Sequence, residues 1–430
     1  MSLVDRDRRI MWHPFSQEES SDLPIAIERA KGSYIYDKNG KSYLDLISSW
    51  WVNIHGHGHQ KISQAIYDQA KKIDHIMFAG FTHDPAVSLC ENLLKILPKD
   101  LTRCFYSDNG STAVEIALKM SYQYWFNKGE KQRTLFISFD GGYHGDTFGA
   151  MSVGKESDFY NPFQKFMFEV LFIPLAHTWY GDENIDEKES KSLEYLNDQL
   201  KEKSHLISAM IIEPLVQGAS GMRIYRTEFI KKVINLIKKF DILIIFDEVM
   251  TGFGRTGANF ALNQINICPD FLCISKGITG GVLPLALTIT KKKIYDAFLS
   301  DNWDKAFAHG HSYTANPIAC AAGLASLELF LQKETQDKIN IISAIHQKFI
   351  KELFNSNREI IKHTRTIGTI AAFDLKSEKN LTNVLKRKFL ENGLLLRPLK
   401  NTVYLLPPYS IKEEELKESY SLINEIINEV

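Results

Sequence analysis

Two short runs constrain this chain more than anything else in it: Ile242–Asp247 and Phe271–Ser275. Both are almost wholly apolar, without the every-other-residue polarity of a strand that faces water. Each therefore reads as a strand buried on both faces. Each also ends in a chemically able group, Asp247 and Glu248 after the first run and Lys276 after the second. Similar runs recur at Arg103–Ser107, Thr134–Phe139 and Leu206–Glu213, with helical patterns between them. Strands alternating with helices predict an α/β fold with a mostly parallel sheet and ligands at the strands' carboxyl ends.

The two ends of the chain have a different character. Gly32–Asp37 and Ser42–Ile47 flank an Asn39-Gly40 turn, the pattern of a β-hairpin. From about residue 325 onward a long amphipathic helix, strand-like runs at Thr369–Asp374 and Val403–Leu406, and a charged terminal helix follow. A length of 430 residues calls for more than one domain. The expected organisation is an N-terminal segment 1–55 that joins a small domain, a large domain 56–325, and a small α+β domain 326–430.

A net charge of −1 gives no electrostatic footprint for nucleic acid or an anionic membrane, so neither is expected as a partner. The apolar runs are strand-sized, and the first ten residues carry charges without an apolar core. Neither a membrane span nor a secretory signal is expected, which points to the cytoplasm. Five cysteines with no Cys-x-x-Cys spacing read as free thiols in a reducing compartment.

A lysine and an aspartate at the ends of neighbouring strands are the pair that pyridoxal phosphate requires. The amine forms a Schiff base, and the carboxylate keeps the pyridine nitrogen protonated so that the ring draws electrons. Lys276 and Asp247 are the candidates. Tyr106–Thr112 ends a strand and opens a helix. Its small residues Gly110 and Ser111 suit phosphate at a helix N-terminus, or else form a plain capped turn. Thr112 and Glu115 have capping-box spacing. In Asp140–Thr147, two glycines precede Tyr143, a ring placed to stack on a flat ligand. Arg255 reads as a structural residue in preference to a carboxylate binder. His309–Pro317 offers hydroxyls to a phosphate or caps the next helix. His55, His57 and His59 alternate, but no cysteine or carboxylate cluster accompanies them, so no metal is expected. Trp50 and Trp51 cannot both enter one core from a strand, so one of them is expected to line a pocket, the alternative being ordinary packing of both. Arg397 follows an apolar run and suits a carboxylate, or else is a surface arginine that snorkels to water.

Together these motifs resemble the class III, fold-type I pyridoxal-phosphate aminotransferases. Nearly the whole chain is covered, most specifically Ser48–Trp51, Gly142–Ser152, Asp247–Gly257 and Ser275–Gly281. The nearest branch makes 7,8-diaminononanoate from 8-amino-7-oxononanoate in biotin synthesis. The resemblance implies that Lys276 carries the cofactor and shuttles the proton, and that Asp247 pairs with the ring nitrogen. It also implies that Gly110 and Ser111 hold the phosphate, joined by His311 and Ser312 of a neighbouring subunit in a homodimer with shared sites. Tyr143 would stack on the ring. Trp50, Tyr143, Gly310 and Arg397 would contact substrate, Arg397 at the distal carboxylate. Phe15 stands where branch members that use S-adenosylmethionine usually carry a substrate-binding tyrosine. Gly310–Thr314 and Gly280–Pro284 look like members that use lysine, whereas Trp50-Trp51 looks like those that use S-adenosylmethionine. S-adenosylmethionine is the expected donor and lysine the alternative; another ω-aminotransferase activity is the wider one.

Overall fold

The computed structural model describes residues 1–154 and 158–429. Its centre is a seven-stranded sheet. In chain order the strands are β1 (Leu101–Ser107), β2 (Leu135–Phe139), β3 (Val170–Ile173), β4 (Ile207–Ile212), β5 (Leu243–Asp247), β6 (Phe271–Ile274) and β7 (Ala286–Lys291). Their spatial order is β1-β7-β6-β5-β4-β2-β3. Neighbours from β6 through β3 are parallel, and β7 runs antiparallel to both β6 and β1. The expectation of a mostly parallel sheet is met.

Every residue of β2, β4, β5 and β6 is buried, which is why these strands lack polar alternation. Helices cover both faces. Gly110–Asn127 buries a broad stripe from Ala113 to Trp125, and the Trp125 indole donates to the Ser208 carbonyl at 2.9 Å. Thr227–Lys238 buries Phe229, Ile230, Val233, Ile234 and Ile237, the spacing of one helical face. The antiparallel strand β7, absent from the sequence reading, carries Thr288 and Thr290 inward. Both hydroxyls are satisfied by backbone carbonyls, of Ala113 and Asp270, so two polar residues mask a buried strand.

Two smaller sheets flank the large one. Tyr34–Asp37 and Ser42–Asp45 form the expected hairpin, with Ile27–Lys31 outside it. Leu394 and Leu395 pair in parallel with Leu44 and Asp45, so the beginning and the tail of the chain share one sheet. Ile361–Ile367, Ile370–Leu375 and Thr402–Leu405 form an antiparallel sheet. The helix Lys333–Ser356 packs on it and on the terminal helix Glu413–Asn428. Among the described residues no helix is long and apolar enough to cross a membrane.

Candidate active site

The register of the sheet brings two carboxylates together. Phe246 of β5 stands opposite Ile212 of β4, so the residues that follow, Asp247 and Glu213, leave the sheet side by side. Lys276 leaves β6 on the other side of Asp247. All three line a cavity of about 660 Å³, with Asp108–Ser111 and Tyr143–Thr147 on its walls.

Asp247 is buried and fully partnered. The His144 Nδ1–H donates to its Oδ2 at 2.7 Å, and the Val249 N–H donates to Oδ1 at 3.1 Å. Lys276 is half-buried, and its backbone sits at φ 42°, a strained conformation for a residue with a side chain. Burial pushes its ammonium below the usual lysine value, against the opposing pull of Asp247 and Glu213. The Nζ lies 4.9 Å from the centre of the Trp51 ring.

The helix Gly110–Asn127 starts with a capping box made by Asn109 and Thr112, whose side chains satisfy each other's backbone N–H. This corrects the expected pairing of Thr112 with Glu115. The helix begins earlier than that pairing requires, and Glu115 instead accepts from Thr147 Oγ1 (2.7 Å) and the Ala150 N–H (3.0 Å). A Cβ on Gly110 would meet Val249 Cγ1 at 2.5 Å. A larger residue would have to displace Val249, and Gly110 and Ser111 line the cavity at the start of the helix. Ser111 Oγ accepts from the Thr147 N–H at 3.0 Å, joining this turn to the Tyr143 loop.

Tyr143 is held at both ends. Its N–H donates to Glu213 Oε1 at 3.0 Å, and its hydroxyl donates to Asp146 Oδ2 at 2.9 Å. The second oxygen of Glu213 accepts from the Gly218 N–H, also at 3.0 Å. Burial pushes the Glu213 carboxyl up to about 7, with His144 opposing the rise and Asp247 adding to it. Neither Glu213 nor His144 was singled out from the sequence. The available signal for Glu213 was its place at the end of a buried strand, identical to that of Asp247.

A second cavity of about 1480 Å³ opens from the same Lys276, Trp51 and Tyr143, and Phe15, Trp50 and Arg397 converge in its wall. The Arg397 guanidinium lies 4.2 Å from the Trp50 ring centre and 6.0 Å from that of Phe15, and the two rings meet edge to face. As expected for adjacent rings, Trp51 is buried, with its Nε1 donating to the Tyr404 hydroxyl at 3.1 Å, while Trp50 points into the open. The turn that carries them is strained: Ser48, Ser49 and Trp51 all have positive φ. Asp45 clamps it by accepting the Ile47 and Ser49 N–H groups, and His57 anchors Asp45 at 2.9 Å.

Arg255 is buried and donates to the carbonyls of Pro407 (2.9 Å) and Asn53 (3.3 Å), a structural tie between the two ends of the chain. Glu248 is likewise structural, accepting the Ala261 and Leu262 N–H groups. Gly310, His311 and Ser312 line neither cavity of the single chain. The turn they belong to caps the helix Pro317–Phe330 through Asn316.

The site residues fit pyridoxal phosphate. A half-buried amine and a buried, oriented carboxylate share one cavity, a helix start where Gly110 packs against Val249 forms one wall, and a tethered aromatic residue lines it.

Comparison with known proteins places the whole chain in one family. The "Aminotransferase class-III" family model matches residues 15–427. An adenosylmethionine-8-amino-7-oxononanoate aminotransferase of Synechococcus elongatus is 45% identical over 98% of this chain and 99% of its own length. The crystal structure of a protein with the same name from Methanocaldococcus jannaschii superposes with a TM-score of 0.91 at 36% identity, covering 100% of this chain and 99% of that one. A PLP-bound amine transaminase from an uncultivated Pseudomonas species superposes with a TM-score of 0.87 at 28% identity, covering 97% of each chain.

Proposed function

Because this chain belongs to the class III aminotransferases, which depend on pyridoxal phosphate, we propose that it aminates 8-amino-7-oxononanoate to 7,8-diaminononanoate in biotin synthesis, with S-adenosylmethionine as donor. The observation that carries this reading is the joint placement of Lys276, Asp247, Tyr143 and the Gly110 turn around one cavity that continues into the Trp50–Arg397 cavity.

Lys276 would hold the cofactor covalently, Asp247 would face its ring nitrogen, Gly110 and Ser111 its phosphate, and Tyr143 its ring. Bound there, the cofactor supplies an electron sink for the negative charge that develops at the donor carbon. His144 holds the Asp247 carboxylate in orientation through its Nδ1–H. The lowered affinity of Lys276 Nζ for its proton favours the free amine, which takes the proton from the donor Cα and returns it later in the reaction. Trp50 and Phe15 would line the path of the substrate chain, and Arg397 would pair with the distal carboxylate. His311 and Ser312 would complete the phosphate site of a second copy in a homodimer. The free thiols support a cytoplasmic setting.

The donor half-reaction tests this reading. The yellow holoenzyme is mixed separately with S-adenosylmethionine and with lysine, and the loss of cofactor absorbance is followed. Bleaching by S-adenosylmethionine alone supports the proposal. Bleaching by lysine alone replaces the donor, with Phe15 as part of the reason. If neither acts and another amine does, the biotin-pathway reading falls.

A further inference from the structure

We propose that Glu213 is a positioning residue of the cofactor site: it sets the placement of the Tyr143 ring by anchoring the backbone beneath it. The proposal deepens the functional reading above and rests on Tyr143 covering the cofactor.

The argument begins with cost. A buried carboxylate is retained only where partners offset its desolvation. Among the described residues Glu213 forms no salt bridge with a lysine or arginine. Its two oxygens are instead used on two different loops, the Tyr143 N–H on one and the Gly218 N–H on the other, both at 3.0 Å. Its own carbonyl accepts from the Tyr225 hydroxyl, which pins the strand end from below. The carboxylate is thus a two-pronged staple between the loop that carries Tyr143 and the loop that carries Ala219, Ser220 and Gly221 into the larger cavity.

With the amide end stapled and the hydroxyl end bonded to Asp146, the Tyr143 ring is fixed at both ends. A glutamine at position 213 cannot reproduce this. It keeps one acceptor oxygen and turns a donor toward the other N–H, so one loop is released. The titratable and charged groups that face Glu213 are His144, Asp247, Lys276, Tyr143 and Tyr225. Its protonation weakens the same staple, so cofactor binding should also loosen as pH falls below about 7.

The test is a double-substitution cycle on the holoenzyme, read by the pyridoxal-phosphate dissociation constant and by the pH titration of the bound cofactor's absorbance. Glu213→Gln should weaken cofactor binding roughly tenfold, the scale of one lost hydrogen bond to a charged group. It should also move the absorbance titration, while Glu213→Asp restores part of both. In a Tyr143→Ala background, Glu213→Gln should add little, because its effect passes through Tyr143. Fully additive effects would overturn the proposal. So would a Glu213→Gln holoenzyme that keeps wild-type cofactor affinity and titration, whatever its melting temperature. If Tyr143→Ala alone leaves cofactor affinity unchanged, the reading of Tyr143 fails, and that result is separate from a failure of Glu213.

Discussion

Removing His144 tests how the site keeps Asp247 ready. In the His144→Leu variant Asp247 loses its 2.7 Å partner at Oδ2 and keeps only the Val249 N–H at Oδ1. Both side chains are almost wholly buried, at 1% and 5% exposure, so solvent compensates the lost bond poorly. Removing the donor of a buried hydrogen bond to a carboxylate costs about 1.5–3 kcal/mol, and the burial of both partners places this case near 3 kcal/mol. Scaling the per-residue unfolding entropy to 430 residues gives about 0.9 kcal/mol per kelvin, so the expected fall in melting temperature of the apoprotein is about 3 °C. Calorimetry of the apoprotein measures it. If the cause is an uncompensated charge, replacing both partners (His144→Leu with Asp247→Asn) should recover about half of the loss, because no buried charge remains. A double variant no more stable than His144→Leu alone would refute that account and leave only a packing defect.

Three further outcomes follow from the same structure. Gly145→Ala would place a Cβ 2.7 Å from Ser111 Cα at a φ of +125°, so the Gly110–Ser111 turn must shift; cofactor retention should fall at least about tenfold with the circular dichroism spectrum unchanged. Arg397→Lys keeps the charge and loses the planar fork, so the KM for 8-amino-7-oxononanoate should rise by about tenfold or more while the donor half-reaction keeps its rate; equal effects on both would make Arg397 structural. Burial pushes His346 down to about 3, and it is bonded as a neutral ring to Tyr420 and Thr369. The unfolded chain therefore takes up a proton there below about 6.5 and the folded chain does not, so this contribution to stability is lost as pH falls from 6.5 toward 3. His346→Phe should flatten the fall of melting temperature between pH 6.5 and 4, and an unchanged slope would contradict the assignment.

What the sequence determined by itself is the set of groups that local chain chemistry marks. The runs ending in Asp247 and Lys276 were legible because strands buried on both faces must be continuously apolar, and a charged residue closing such a run stands out. Gly110 and the Tyr143 loop were legible for the same reason, since small residues and glycines punctuate a chain where its backbone must turn. The beginning of the helix was misjudged because Asn109 and Thr112 can cap each other, an option that spacing alone did not rank against Thr112 with Glu115.

The rest was decided only when distant segments met. The strand β7 was hidden because its threonines are satisfied by carbonyls from other elements. Trp50 and Arg397 come together from opposite ends of the chain, brought close by the parallel pairing of Leu394–Leu395 on Leu44–Asp45 and by the Leu406–Leu46 backbone bond. Glu213 stands beside Asp247 because of a register between two strands, and His144 reaches Asp247 across more than a hundred residues of sequence. A residue's neighbours along the chain set its backbone conformation and its polarity pattern. Its electrostatic partners are chosen by the packing of the sheet, and no local pattern encodes that choice.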